Sequence, residues 1–128
     1  MSVGAATPIE LRAGSLLDPL RETVDVVVSN PPYLTSAECD EVGPEVRNYE
    51  PRLALDGGRD GMDPYRILIA GTGRCLAPGG LLALEIDSRR PDLILAMAMA
   101  AGWSDARVVN DVFGRARYLL ATNGKRTR

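Results

Sequence analysis

The sequence predicts an α/β domain built on a largely parallel sheet that closes with an antiparallel hairpin. Three observations carry this prediction. Short apolar, β-branched runs recur along the chain, helical segments separate several of them, and the last two runs lie close together. At 128 residues with 45% hydrophobic and 25% charged content, the chain fits one soluble globular domain spanning 1–128.

Ile9–Ala13 and Val24–Ser29 read as the first two strands, the second being a nearly pure valine run. A short helix over about Leu34 to Asp40 follows. The next helix opens at Asp63 with Pro64 at its first turn and runs to a stop at Pro78-Gly79-Gly80, although Gly71 and Gly73 lower its propensity. Leu81–Ile86 reads as a strand. A helix starts near Pro91 and runs to Gly102, with Leu93, Ile94, Met97, Met99 and Ala100 around much of its circumference and its methionines read as core packing. Ala106–Val109 and Tyr118–Thr122 are close enough to pair as the terminal hairpin.

The connection from Leu34 to Asp63 is longer than compact domains ordinarily use, which marks it as a lid or binding loop. It carries Tyr49, Pro51, Arg52 and "LDGGRDGMD". The acids of "DGGRDG" do not fit a twelve-residue calcium loop, and a set of tight turns is the simpler reading.

Composition excludes several classes of chemistry. The chain has no histidine and two widely separated cysteines, Cys39 and Cys75, so neither a zinc site nor a Ser-His or Cys-His hydrolase is expected. No metal is called for. A net charge of −2 offers no general attraction to nucleic acid, and the basic cluster Lys125 to Arg128 reads as a solvated tail. No long apolar run or leader sequence is apparent, and the cytoplasm is the expected location.

The most informative stretch is Asn30-Pro31-Pro32-Tyr33, which ends the valine-rich strand. In open α/β sheets, ligands sit beyond the carboxyl ends of the strands. Punctuation alone would need one proline. The Asn30 side-chain oxygen can accept a hydrogen bond from a planar NH2 group, and a backbone carbonyl of Pro31-Pro32, steadied by two fixed φ angles, can accept another. The Tyr33 ring can pack on the flat group and exclude water. Two acceptors would pin the nitrogen for in-line attack on an electrophilic methyl group, so that positioning replaces a strong base.

This motif resembles the signature of S-adenosylmethionine-dependent methyltransferases that act on planar amino groups of glutamine, adenine or cytosine. "EVRNYEPRLALDGGRDGMDPYR", "LAPGGLLALEI" and "NDVFGRARYLLA" follow in the order seen in the HemK/PrmC family of protein-(glutamine-N5) methyltransferases, and the resemblance spans about Gly14 to Ala121. It implies a Rossmann-like methyltransferase sheet and S-adenosyl-L-methionine as cofactor. It also implies a Gly-Gly-Gln glutamine of peptide-chain release factors as substrate. Asn30 and the Pro31 carbonyl would hold the target amide, with Pro32 and Tyr33 lining its pocket. A ribosomal-protein glutamine or a DNA adenine is the alternative acceptor, the latter requiring a basic target-recognition region for which there is little room.

Full-length relatives carry an upstream glycine-rich loop and an acidic residue for the cofactor, and a helical release-factor-binding domain. The sequence matches from the third strand onward, so the first two strands are expected to be missing. "AGTGR" at Ala70–Arg74 resembles a glycine-rich loop only superficially. Gly14 and Ser15 stand where relatives contact the cofactor's adenine end, although Ser15 replaces the usual acid, and Asp87 replaces a usual glycine. An unpaired edge beside Val24–Ser29 is expected to promote self-association, to recruit another chain, or to draw Ile9–Ala13 inward to pair along it. A fragment with only an interaction role is the non-enzymatic alternative.

Overall fold

The computed structural model describes residues 8–41, 52 and 55–124. Its elements, in chain order, are β1 (Val24–Ser29), α1 (Ser36–Glu41), α2 (Asp63–Gly71), β2 (Leu76–Glu85), α3 (Pro91–Ala100), β3 (Ser104–Asn110) and β4 (Ala116–Thr122). A single 3-10 turn, Thr72–Arg74, joins α2 to β2. The strands form one sheet in the order β1-β2-β4-β3. β1 runs parallel to β2, and β4 lies antiparallel between β2 and β3, so the terminal hairpin closes the far edge. Tyr49, Pro51 and the Lys125–Arg128 cluster lie outside the described residues.

The core lies on one face of this sheet. Leu82, Leu84 and Leu119 alternate inward, as period-two strands require, and meet Met62, Tyr65, Leu68 and Ile69 at α2 and Ile94 and Ala98 on α3. Only one stripe of α3 buries: Met97 packs against the core, whereas Leu93 and Met99 are exposed. The opposite sheet face is more open, and Val26 and Val28 stand on it at 50% and 76% exposure. Among the described residues no helix is long and apolar enough to cross a membrane.

Two sequence expectations are corrected. Ile9–Ala13 forms no strand: Ile9 is exposed, Leu11 is 92% exposed, and no ladder partner is present among the described residues. An isolated apolar run has no means of satisfying its backbone as a strand without such a partner. The stop placed at Pro78-Gly79-Gly80 is instead a bulge within β2, because Val24 pairs with Leu76 while Val26 pairs with Leu81. The preceding helix ends earlier, at Gly71, and tightens into the 3-10 turn through Gly73.

Buried Asn123 locks this bulge. Its Nδ2 donates to the carbonyls of Gly73, Leu76 and Ala77 at 3.2, 2.9 and 3.4 Å, while its backbone N–H donates to Gly80 O and its carbonyl accepts from Gly79 N, both at 2.8 Å. Asn123→Ala leaves the buried Leu76 carbonyl and the part-buried Gly73 and Ala77 carbonyls without this donor and is expected to lower unfolding free energy by about 1–3 kcal/mol. Denaturant titration of the two proteins measures this directly; an unchanged midpoint would remove Asn123 from the account of the sheet.

Candidate active site

Asn30 to Tyr33 leave the carboxyl end of β1, as the sequence predicts for a ligand-facing segment. Asn30 is exposed, and its side-chain amide makes no hydrogen bond among the described residues. Pro31 is buried, whereas Pro32 and Tyr33 are half-buried, with Tyr33 packed against the core. The amide is therefore presented to solvent from a tethered backbone.

The tether comes from the glycine-rich loop, whose role sequence reasoning missed. Leu34 N donates to Leu55 O at 3.1 Å, Gly57 N to Leu34 O at 2.7 Å, and Ser36 N to Gly58 O at 2.8 Å, making a parallel bridge between Leu34 and Asp56. A Cβ on Gly57 would lie 2.8 Å from the Pro32 carbonyl oxygen, and one on Gly61 would overlap the Tyr33 carbonyl. Gly61 also has φ +78°, which L side chains rarely adopt. Glycine is thus what lets this loop reach the backbone of the motif.

Carboxylates shape the loop from within. Asp56 accepts from Gly58 N and Ser36 Oγ, both at 2.9 Å, and from Arg52 Nε at 3.0 Å. The Gly58 amide, followed by Ser36, holds the Asp56 carboxyl below its ordinary pKa. Asp60 accepts from Met62 N at 3.0 Å and pairs with Arg66, whose guanidinium holds it at about 2. These are aspartate-stabilised turns, in agreement with the sequence reading. Among the described residues no group of His, Cys, Asp or Glu is arranged to hold a metal.

α1 starts with a reciprocal cap that the Thr35-x-x-Glu38 spacing could have disclosed. Glu38 N donates to Thr35 Oγ1 at 3.0 Å, and Thr35 N donates to Glu38 Oε1 at 2.9 Å. Arg89 then reaches Glu38 Oε2 at 2.6 Å and draws its pKa down to about 2. Because that value is depressed, the stabilisation is complete above the ordinary glutamate range and is lost as pH falls through about 2.

Gly14 and Ser15 do come to the same region. With Leu16, Pro32, Gly57, Pro64 and Ile67 they line a groove of about 740 Å³ beside the motif. Of the four motif residues, only Pro32 lines this groove. Gly14 and Ser15 are therefore joined to Asn30 and Tyr33 through the proline segment rather than by direct contact.

The fold recurs in a crystal structure of a methyltransferase from Pyrococcus furiosus, with a TM-score of 0.54 at 19% identity, covering 82% of this chain and 43% of that one. Fold and motif position thus define a methyltransferase-type α/β sheet. No family model matches the chain. Among individual proteins, it is 45% identical over 121 residues to the release factor glutamine methyltransferase of Moorella thermoacetica, covering 93% of this chain and 42% of that relative. The corresponding protein of Geobacter sulfurreducens is 41% identical over 107 residues, covering 83% of this chain and 38% of that one. That of Cereibacter sphaeroides is 39% identical over 120 residues, covering 94% and 43%. The chain is thus similar to release factor glutamine methyltransferases over most of its own length and spans about two fifths of the length of these relatives.

Gly61→Ala should force the loop away from Tyr33, because a methyl group there meets backbone rather than a movable side chain. A stability loss of about 1–3 kcal/mol is expected, from overlap and the left-handed φ together. Thermal unfolding checks this, and a variant as stable as the parent would show that the loop does not bear on the motif.

Proposed function

We propose that the chain carries the acceptor-binding part of an S-adenosylmethionine-dependent methyltransferase whose substrate is the Gly-Gly-Gln glutamine of peptide-chain release factors. The observation that supports this most is the exposed Asn30 amide at the carboxyl end of β1, followed by a backbone tethered to a glycine loop. The relatives' names support the choice of glutamine and of release factor. A cytoplasmic location follows from a substrate in the translation machinery.

The chemistry assigned to these residues is positioning. Asn30 Oδ1 accepts one N–H of the substrate amide. The second acceptor is assigned to the Pro31 carbonyl, and the approach of the Gly57 loop to the Pro32 carbonyl supports that choice. The Tyr33 ring packs on the amide plane and keeps water from it. With both N–H bonds engaged, the nitrogen is held with one face towards the electrophile, and the proton leaves after transfer has made the nitrogen acidic. A histidine base is not required.

The groove's volume lies within the range of small-molecule sites, and its polar-and-apolar lining fits part of the cofactor. Gly14 and Ser15 would hold the adenine end of S-adenosylmethionine. When bound, that cofactor supplies the electrophilic methyl group. The remaining residues serve to present the acceptor and exclude water.

Transfer is measured by mass spectrometry of a release factor incubated with S-adenosylmethionine and the chain completed with the upstream segment of the Moorella thermoacetica relative. One added methyl on the Gly-Gly-Gln glutamine is expected. Asn30→Ala should reduce the rate at least about a hundredfold with cofactor affinity retained; Tyr33→Phe should be mild and Tyr33→Ala severe. An unmodified glutamine with the completed parent protein, or full turnover by its Asn30→Ala variant, would overturn the assignment.

The open sheet face also bears on partners. β1 has one neighbour among the described residues, and Val26 and Val28 are exposed beside its free edge. This edge is proposed to pair with a second copy or another polypeptide. Light scattering coupled to size-exclusion chromatography should give a mass above that of one chain, reduced by Val28→Lys. A monomer at all concentrations would contradict self-association.

A further inference from the structure

Asp87 lies two residues beyond the end of β2 at Glu85, and the β1–β2 register sets Ser29 opposite Leu84. The two chains therefore leave neighbouring strands at the same end of the sheet, one as Asn30 and the other as Asp87. Asp87 is only 3% exposed. A carboxylate at that depth is costly unless its oxygens are satisfied by charged donors.

Two consecutive arginines satisfy it. Arg89 donates from its backbone N and Nε to Asp87 Oδ1, both at 3.0 Å, and from Nη2 to Oδ2 at 2.8 Å. Arg90 Nη2 donates to Oδ2 at 3.2 Å. Burial acts to raise the Asp87 pKa, but the arginine hydrogen bonds prevail and the carboxyl lies below its ordinary value.

Each arginine has a second arm, and the two arms reach two different segments next to the Asn30-to-Tyr33 motif. Arg89 Nη1 binds Glu38, the residue that caps α1 just after the motif. Arg90 Nη1 donates at 2.6 Å to the carbonyl of Asp60, next to the Gly61 that abuts Tyr33. Burying a side chain at position 87 requires neither arm; an apolar residue would fill the space without desolvating a charge. The arms matter only if the segments they reach need to be held.

We infer that Asp87 is a positioning residue: through Arg89 and Arg90 it clamps α1 and the glycine loop, the two segments that adjoin Pro31 to Leu34, fixing the carbonyl and ring that hold the acceptor amide. It touches no substrate itself. The inference rests on the acceptor reading of Asn30 to Tyr33, while the clamp is a property of the fold that can be measured separately.

The test compares the parent chain with Asp87→Asn, which keeps the shape and removes the charge. Amide hydrogen exchange is followed at Ser36 and Gly57, whose N–H groups bridge the clamped segments, and at Val108 and Leu120 in the terminal hairpin. Exchange at Ser36 and Gly57 should quicken about tenfold or more while the hairpin stays unchanged, and methyl transfer to a release factor should lose a similar factor in kcat with the KM for S-adenosylmethionine unaltered. Asp87→Glu should restore part of both.

Unchanged exchange at Ser36 and Gly57, or equal quickening throughout, would overturn the clamp. A quickened exchange with parental kcat would show a clamp that does not serve catalysis and would overturn the positioning role. If Asp87→Asn does not fold, Arg89→Gln and Arg90→Gln each remove one arm: the first should loosen Ser36 more and the second Gly57 more, and the reverse or no difference refutes the arrangement. Kinetics are read on the chain completed with its relatives' upstream segment; if that parent protein transfers no methyl group, the acceptor reading fails, and the exchange data still decide whether Asp87 is a clamp.

Discussion

The site depends on the parallel register of β1 against β2. Val26, Val27, Val28 and Ser29 pair with Leu81, Leu82, Ala83 and Leu84, which sets Val27 towards the core and leaves Val26 and Val28 on the open face. A slip by one residue would exchange the faces and turn Asn30 away from the sheet end it now occupies. The bulge in β2 makes this register compatible with the short 3-10 connection from α2, and Asn123 holds the bulge by hydrogen bonds from its side chain and backbone. The strand that Asn30 to Tyr33 follow thus pairs with a partner whose bulge is held by a polar residue near the other end of the described chain.

From that starting point the site is assembled mainly from backbone. Leu34, Ser36, Gly57 and Gly58 exchange main-chain hydrogen bonds, and glycine permits the close approach of the loop to the Pro32 and Tyr33 carbonyls. Such a construction suits a reaction in which a weakly nucleophilic amide has to be oriented rather than strongly deprotonated. It also suits the proposed acceptor role in a chain with no histidine. Charged side chains lie around this backbone, in Asp56, Asp60 and the Asp87–Arg89–Glu38 connection, where they restrain its segments rather than face the proposed acceptor.

Much of this was legible in the sequence, for reasons that differ by element. The valine run and the final hairpin carry strong period and turn signals, and Asn30 to Tyr33 stand out because two prolines after a core strand are otherwise wasteful. Ile9–Ala13 misled because an apolar run of strand length says nothing about whether a neighbouring strand is there to pair with it. Pro78-Gly79-Gly80 misled because the same residues punctuate a helix end and form a bulge. The service of Gly57 and Gly61 to the motif was hidden because contacts between backbones leave no side-chain signature. Asp87 was conspicuous only as a substitution for glycine, and Arg89 and Arg90 read as ordinary surface charges; their joint meaning needs Glu38 and Asp60, which are distant in sequence. The tyrosine's place beside the acceptor amide and the part played by Gly14 and Ser15 remain proposals built on the motif and the groove.

The central claim is that Asn30 to Tyr33 receive a glutamine side chain. It is tested most directly by titrating isotope-labelled chain with a Gly-Gly-Gln loop peptide and following the side-chain NH2 signal of Asn30 together with the backbone signals of Tyr33, Leu34 and Gly57. The account predicts saturable shifts concentrated on these positions, and their disappearance when the peptide glutamine is replaced by glutamate, which presents no NH2 group. Shifts confined to other parts of the sheet, or equal shifts with the glutamate peptide, would contradict it.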